Sequence, residues 1–293
     1  MRLSGKWAFC LVWLVACATH AAPVSTTDDT GHSIRLSAPA TRIVSLAPHA
    51  TELLFAAGAG GVLVGVSEYS NFPEAAKRIA SIGGAAAIDI ERVVTLKPDL
   101  VVAWGSGNSA RQLASLRSLG IPVFESEPRD FAAIASSLER LATLAGTEAI
   151  GRPAAQNFRT RLQALASTYQ QRPPVRVFYQ IWHEPLMTLN DSSMVSSAIR
   201  LCGGDNIFAR LPQLAPVVST EAVLQANPEA IFTGGEDDPT ALASWRRFPS
   251  LLAVQRNNLL VINSDWLARS GPRILLGAEQ LCIQLEAVRR KRS

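Results

Sequence analysis

The sequence lacks the short motifs that announce common enzymes. No nucleophile elbow G-x-S-x-G, no H-E-x-x-H zinc signature and no Walker A loop occurs in its 293 residues, which argues against the hydrolases, zinc peptidases and nucleotide hydrolases these motifs mark. Carboxylates are scattered and form no acid/base pair legible in sequence, so no catalytic role is expected. Charge is also sparse, at 18% of residues. The formal net charge of +4 includes Arg2 and Lys6 at the start, and what remains concentrates in Arg289, Arg290, Lys291 and Arg292. That run carries no interleaved aromatics, as a nucleic-acid surface would, and reads as a solvated tail. No nucleic-acid partner is expected.

Long apolar runs and cysteines are equally scarce. The apolar stretch from about Trp7 to Ala16 is too short to span a membrane. Preceded by Arg2 and Lys6 and followed by small residues, it has the layout of a secretory signal over residues 1–22, cleaved near Ala21 or Ala22. Leu14, Val15, Ala16 and Cys17 also resemble a bacterial lipobox, so a form lipid-anchored at Cys17 is the alternative. An A-x-A-like site a few residues on, with no long linker after Cys17, favours the soluble exported form. Of four cysteines, Cys10 and Cys17 belong to the signal, leaving Cys202 and Cys282 as a pair in a chain bound for an oxidising compartment. A disulfide between them is predicted. Its loop closure would contribute on the order of 4 kcal/mol, and the lack of a second pair argues against a cysteine metal site.

What is present is a repetition. ERVVTLKPDLVVAW, residues 91 to 104, is echoed by EAVLQANPEAIFTG, residues 221 to 234: a glutamate, a proline seven positions on, an acidic residue, then an apolar run. Asp89 and Ser219 are candidate N-caps, apolar residues follow at helical spacing, and Pro98 and Pro228 stop the helix before a buried strand. Around these, RIVSL at 42 to 46 is matched by RVFYQ at 176 to 180, and IPVFES at 121 to 126 by NLLVINS at 258 to 264. Each half reads strand, helix, strand, helix, strand.

The fold class follows: two parallel-sheet α/β lobes joined by one long rigid helix, with a ligand cleft between them. The expected boundaries are 41–145 for the N-terminal lobe, 146–172 for the connecting helix and 175–289 for the C-terminal lobe. Ala155, Phe158, Leu162, Leu165 and Ala166 give the connector helical periodicity, ended by Pro173 and Pro174. A connector of this kind lets the lobes rock little.

Aromatics are only 6% of the chain, yet they gather where strands end. Open α/β sheets bind ligands beyond the carboxyl ends of their strands. In the first lobe those ends carry Pro48, His49, Tyr69, Phe72 and Trp104; in the second, Trp182, His183, Asp265, Trp266 and Arg269. Such a cleft suits a large, flat, partly apolar ligand.

Taken together, RIVSLAPHATELLFAAG, GVSEYSNFP, ERVVTLKPDLVVAWGSGN, CGGDNIF and NSDWLARSGPR resemble the bacterial periplasmic vitamin B12-binding proteins, receptors of cobalamin ABC importers. The match runs in order from about Arg42 to Leu285. It implies a monomeric periplasmic receptor with no cofactor of its own, cobalamin or a related corrinoid being the transported ligand. It also implies a permease dimer with ATPase subunits as partner. Glu91 and Glu221 match the glutamates that dock onto permease arginines, which explains why the sentence is written twice; as residues alone they read as complements to a helix dipole. Tyr69, Trp104, Asp265 and Arg269 match ligand positions, with Trp182 and Trp266 beside them. Ala85 and Ala215 stand where the best-known members place tryptophans.

Two other readings stay open. His49 and His183 occupy equivalent strand ends 134 residues apart, and receptors of this architecture also carry haem, metal ions or ferric siderophores, so the pair could ligate iron or zinc, with Glu68, Glu184 or Asp265 as a third ligand. Gly105, Gly107 and Ala110 satisfy the dinucleotide pattern G-x-G-x-x-A, with Glu125 about twenty residues on. The strand before that pattern is not the first of its unit, and export leads away from a ready supply of such a cofactor.

Overall fold

The computed structural model describes residues 22–84, 87–235 and 240–292. The expected signal up to residue 21, with Cys10 and Cys17, lies outside the described residues, as does Ala85. An antiparallel hairpin, β1 (Val24–Thr27) and β2 (Ser33–Leu36), opens the described chain. Its alternation turns Ile34 and Leu36 into the core and leaves the neighbouring residues exposed.

The first lobe follows as β3 (Ile43–Ser45), α1 (Pro48–Ala56), β4 (Leu63–Val66), the short strands β5 (Gly83–Gly84) and β6 (Ala87–Ile88), α2 (Ile90–Thr95), β7 (Leu100–Trp104), α3 (Ala110–Ser118), β8 (Val123–Ser126) and α4 (Phe131–Ala145). Its sheet is parallel in the order β4-β3-β7-β8. After Gly146 in the left-handed region, α5 (Glu148–Tyr169) runs on for 22 residues, about 33 Å at 1.5 Å per residue. A Cβ on Gly151 would lie 2.2 Å from that of Ala142, so this glycine lets α5 close directly onto α4.

The second lobe comprises β9 (Val175–Gln180), α6 (Met194–Leu201), β10 (Gly204–Asn206), α7 (Thr220–Ala226), β11 (Ala230–Gly234), α8 (Leu252–Gln255), β12 (Leu259–Ile262), α9 (Ser264–Leu267) and α10 (Ile274–Arg290). Its parallel order, β10-β9-β11-β12, repeats that of the first lobe position for position. Cys202, at the end of α6, is bonded to Cys282 in α10, closing a separation of 80 residues.

The repeat is visible in local chemistry. Asp89 accepts from the Arg92 amide at 2.9 Å and Ser219 from the Ala222 amide at 3.1 Å, each satisfying a donor that the first turn leaves free. Val93 and Val223 are fully buried beneath. Both segments then turn through a residue in the left-handed region, Lys97 at φ 48° and Asn227 at φ 44°. Both sheets are covered on two faces, so their central strands are largely apolar. In the first, Ile43, Leu100, Val102 and Phe124 face a core that continues through α4 and α5 into the second lobe, while Val44, Val101 and Ala103 face an outer cluster under α2 and α3.

Each sheet has one strand more than the sequence pattern indicated. β10 reads Gly-Asp-Asn; it pairs through its backbone at a sheet edge and has no apolar signature to detect. The hairpin β1–β2 was likewise not anticipated.

Candidate functional site

The carboxyl ends of the two sheets face each other across a cleft of about 660 Å³. From the first lobe come the start of α1, Trp104 at the end of β7, and the segment after β8 with Glu127 and Arg129. The second lobe supplies Tyr179 and Ile181 at the end of β9, the start of α6, and Leu267 at the end of α9 with the following residues to Ser270. Of the strand-end residues singled out in the sequence, Pro48, His49, Trp104 and Arg269 line this cavity.

Trp104 is held in place by what surrounds it. Its amide donates to Asn108 Oδ1 at 2.7 Å, and Asn108 donates in turn to the Leu46 carbonyl at 3.2 Å. A Cβ on Gly107 would fall 1.9 Å from the indole Cε3, so the ring occupies space that only glycine leaves. His49 meets it edge-on at 5.7 Å between centroids. The ring remains 36% exposed, a wide apolar wall open to the cleft.

The glycine-rich loop after β7 carries no free anion site. The Ser106 amide and hydroxyl donate to the Glu127 carboxylate at 2.7 and 3.0 Å, and Glu125 is ion-paired with Arg117. A carboxylate of the chain thus sits where a dinucleotide phosphate would have to bind, and the G-x-G-x-x-A pattern is a chance match.

His49 is 6% exposed, and its buried Nε2 has no hydrogen-bond partner. Burial lowers its pKa, outweighing the Ser126 backbone hydrogen bond and the nearby carboxylates of Glu127, Glu52 and Asp29. His183 is exposed and does not line the cavity. Among the described residues, three metal-capable groups come together at Asp28, His32 and Glu125. One Asp28 oxygen already accepts from the Thr30 amide, the Thr30 hydroxyl and the His32 amide, while Arg117 neutralises Glu125, so hairpin-turn chemistry accounts for this group.

The other predicted ligand residues lie outside the cavity lining, Trp182 next to the lining Ile181 and Tyr69 two residues before Asn71. Tyr69, left-handed at φ 62°, is 78% exposed, and Trp182 is 62% exposed with its indole N–H donated to the Glu184 carbonyl at 2.9 Å. Trp266 is half-buried on α9. Asp265 pairs with Arg269 at 2.9 Å, and Arg269 reaches Glu52 at 3.1 Å and Asn71 at 2.7 Å in the opposite lobe. Arg273 completes this group, its pKa raised first by its hydrogen bonds to Glu52. Ala215 is half-buried beside Leu214, which lines the cleft.

Several cleft residues escaped the sequence reading. Tyr179 looked like an interior strand position; it is buried, its pKa pushed up to about 12 by that burial, and its ring faces the cavity. Glu52 looked like an ordinary acid in the first turns of a helix, and only its partners in the other lobe mark it out. Ser192 to Val195 enter because α6 begins at the cleft, a placement that the loop after β9 conceals.

Glu91 and Glu221 are exposed in the first turns of α2 and α7, equivalent helices preceding equivalent strands. The carboxylate of Glu221 is held below its usual pKa by a hydrogen bond from its own amide and another from Ser219. No helix of the described residues is long and apolar enough to cross a membrane.

Known proteins share this arrangement. The chain is 42% identical over 257 residues to the vitamin B12-binding protein of Vibrio cholerae, covering 86% of this chain and 92% of that one. It is 39% identical over 249 residues to the protein of that name from Yersinia pestis, covering 85% and 88%. The crystal structure of the Vibrio cholerae periplasmic vitamin B12 binding protein BtuF superposes with a TM-score of 0.79 over 86% of this chain and 98% of that one, at 42% identity. The haem-binding protein RhuT of Roseiflexus sp. RS-1, 22% identical, shares the fold at a TM-score of 0.76 over 84% and 98%. The sequence profile of the periplasmic binding protein family matches residues 43–266; the chain belongs to that family.

Proposed function

We propose that this protein is a periplasmic receptor that captures vitamin B12 or a closely related corrinoid between its lobes and delivers it to an ABC importer of the inner membrane. The observation that carries the reading is a cleft between facing strand ends whose apolar wall is led by Trp104, with two further exposed rings, Tyr69 and Trp182, outside the cavity lining. A drug-sized ligand would be enclosed by 660 Å³; rings standing beyond that volume suit a larger flat ligand that projects from the cleft. The names and identities of the relatives point to the same ligand class.

Capture divides between surfaces of different kinds. Tyr69, Trp104, Trp182 and Trp266 offer flat apolar faces to the macrocycle and its methyl groups, while Asp265 and Arg269 meet its peripheral amides and phosphate. Delivery uses Glu91 and Glu221, presented at matching places on the two lobes, as a twofold permease requires. The protein acts as an exported monomer and leaves ATP hydrolysis to the transporter's ATPase subunits. One observation favours haem as a second ligand class: the unpartnered, cleft-lining His49.

The test is complementation of a bacterial strain lacking its periplasmic vitamin B12 receptor. Growth on limiting cobalamin restored by this chain is the expected result. Failure of folded, exported protein to restore it, together with a Soret shift on hemin addition that His49→Ala abolishes, would replace the corrinoid reading with the haem one.

A further inference from the structure

An ion cluster beside the cleft joins the lobes. Glu52, on α1 of the first lobe, has a side chain only 1% exposed. Its Oε1 accepts from Arg269 Nη1 at 3.1 Å and Arg273 Nη2 at 2.6 Å, and its Oε2 accepts from Arg273 Nε at 2.9 Å. Both arginines belong to the second lobe. Arg269 also bonds to Asn71 at 2.7 Å and pairs with Asp265, and the Arg273 guanidinium lies 4.2 Å from the centroid of the Phe72 ring. Glu52, Asn71 and Phe72 on one side thus hold Asp265, Arg269 and Arg273 on the other.

The cluster is also a partition. Arg269 faces the main cleft, whereas Glu52 and Arg273, with Phe55, Phe72 and Pro272, wall a separate apolar cavity of about 260 Å³ behind it. A buried carboxylate shared by two cations is costly to separate from either, because each separation strands a charge away from water. The arrangement therefore favours one lobe separation over its neighbours. It also commits both sides of Arg269, so this cation reaches the cleft in a single pose.

We propose that Glu52 is a positioning residue for ligand capture: through Arg269 and Arg273 it latches the lobes at one spacing and fixes the guanidinium that the ligand meets. Opening the lobes to release cargo then requires breaking this latch. The assignment of a ligand to Arg269 rests on the corrinoid reading above; the latch itself does not.

The experiment places spin labels at Ser118→Cys in the first lobe and Ser250→Cys in the second, both at exposed positions, and measures their distance distribution in the full mature protein. The release rate of cyanocobalamin and thermal unfolding are followed in parallel. Glu52→Gln should broaden and lengthen the distribution and speed release roughly tenfold, the effect falling on dissociation rather than association. The double variant Glu52→Gln with Arg273→Met removes the cation most deeply committed to Glu52, so it stays foldable if the single variant does not. A latch predicts that the double variant keeps the broad distribution and fast release. Wild-type distances and release in the double variant would assign the single defect to an unpaired buried charge and overturn the latch, as would an unchanged distribution in Glu52→Gln. If wild-type protein binds no cyanocobalamin, the corrinoid reading fails alone, and the distance distributions still decide the latch.

Discussion

The two lobes share a frame and differ in what the frame carries. At a constant spacing of 130 residues, Asp89 corresponds to Ser219, Glu91 to Glu221, Val93 to Val223, Lys97 to Asn227 and Pro98 to Pro228, and each pair does the same structural work. At the carboxyl end of the strand that follows, the correspondence breaks: Trp104 stands opposite Gly234. The indole of the first lobe rests over Gly107, whereas Gly234 leaves room for the Tyr179 hydroxyl, 3.2 Å from where its Cβ would lie. The clasp is unequal too, the first lobe giving the acid and the second the arginines. On the function proposed above, positions offered to a twofold partner stay equal and positions offered to an asymmetric ligand diverge.

Breaking the equal half of this comparison should have the largest effect. Reversing both charges, Glu91→Lys with Glu221→Lys, is expected to abolish cobalamin import while leaving affinity for the ligand unchanged, since both groups are exposed and remote from the cleft. Uptake of radiolabelled cobalamin beside equilibrium binding of the purified variant checks both halves. Normal uptake would remove the docking assignment.

Making the first lobe resemble the second at its strand end comes next. Trp104→Gly removes a half-exposed ring worth about 1.5–3 kcal/mol to a ligand packed on it, so affinity should fall by roughly ten- to a hundredfold. Gly107→Ala leaves the indole in place chemically but pushes it from its seat, and should weaken binding in the same direction by a smaller factor. Equal affinities for all three proteins would mean that the ligand does not lie on this wall.

A third comparison sets His49 against His183, equivalent in sequence and opposite in burial. Burial keeps His49 neutral, its pKa lowered from 6.5. As pH falls below that value, the unfolded chain takes up a proton that the folded chain refuses. Stability should therefore drop with acidification between 6.5 and the lowered folded pKa, by at most about 1.4 kcal/mol per pH unit. Urea unfolding at pH 7 and pH 5 should show this slope in the wild type and a flatter one in His49→Gln.

The smallest effect concerns the left-handed turn. Asn227 suits that conformation better than Lys97 does, so Lys97→Asn should stabilise the first lobe by about 0.5–1 kcal/mol. A shift in the urea midpoint at constant slope would show it; a loss of stability would mean that the lysine side chain does work in the fold.

The frame was legible because its signals are local. Caps, prolines and apolar runs act within one turn or one strand, and Asp89, Ser219, Pro98 and Pro228 can be read without knowing what lies opposite. The disulfide was legible by count, since a cleaved signal of the expected length would leave two cysteines and one way to pair them. Of the cavity lining, Trp104 was legible because an aromatic ring stands out against a polar loop, and His49 and Arg269 because they follow strand ends. Tyr179 was missed because alternation assigns it to the interior, and the strand's exit into the cleft is a property of the assembled sheet. Glu52 was missed because its partners lie 217 and 221 residues away, and a carboxylate near a helix start has an adequate local explanation. The edge strand Gly204–Asn206 has no side-chain signal, its pairing being entirely backbone.

The most direct test of the whole account is isothermal titration of the purified mature protein with cyanocobalamin, with hemin titrated in parallel. One-to-one binding of cyanocobalamin, tighter than that of hemin, is the predicted result. Tight hemin binding with no heat from cyanocobalamin would contradict it and make the buried, cleft-lining His49 the first residue to examine as a ligand.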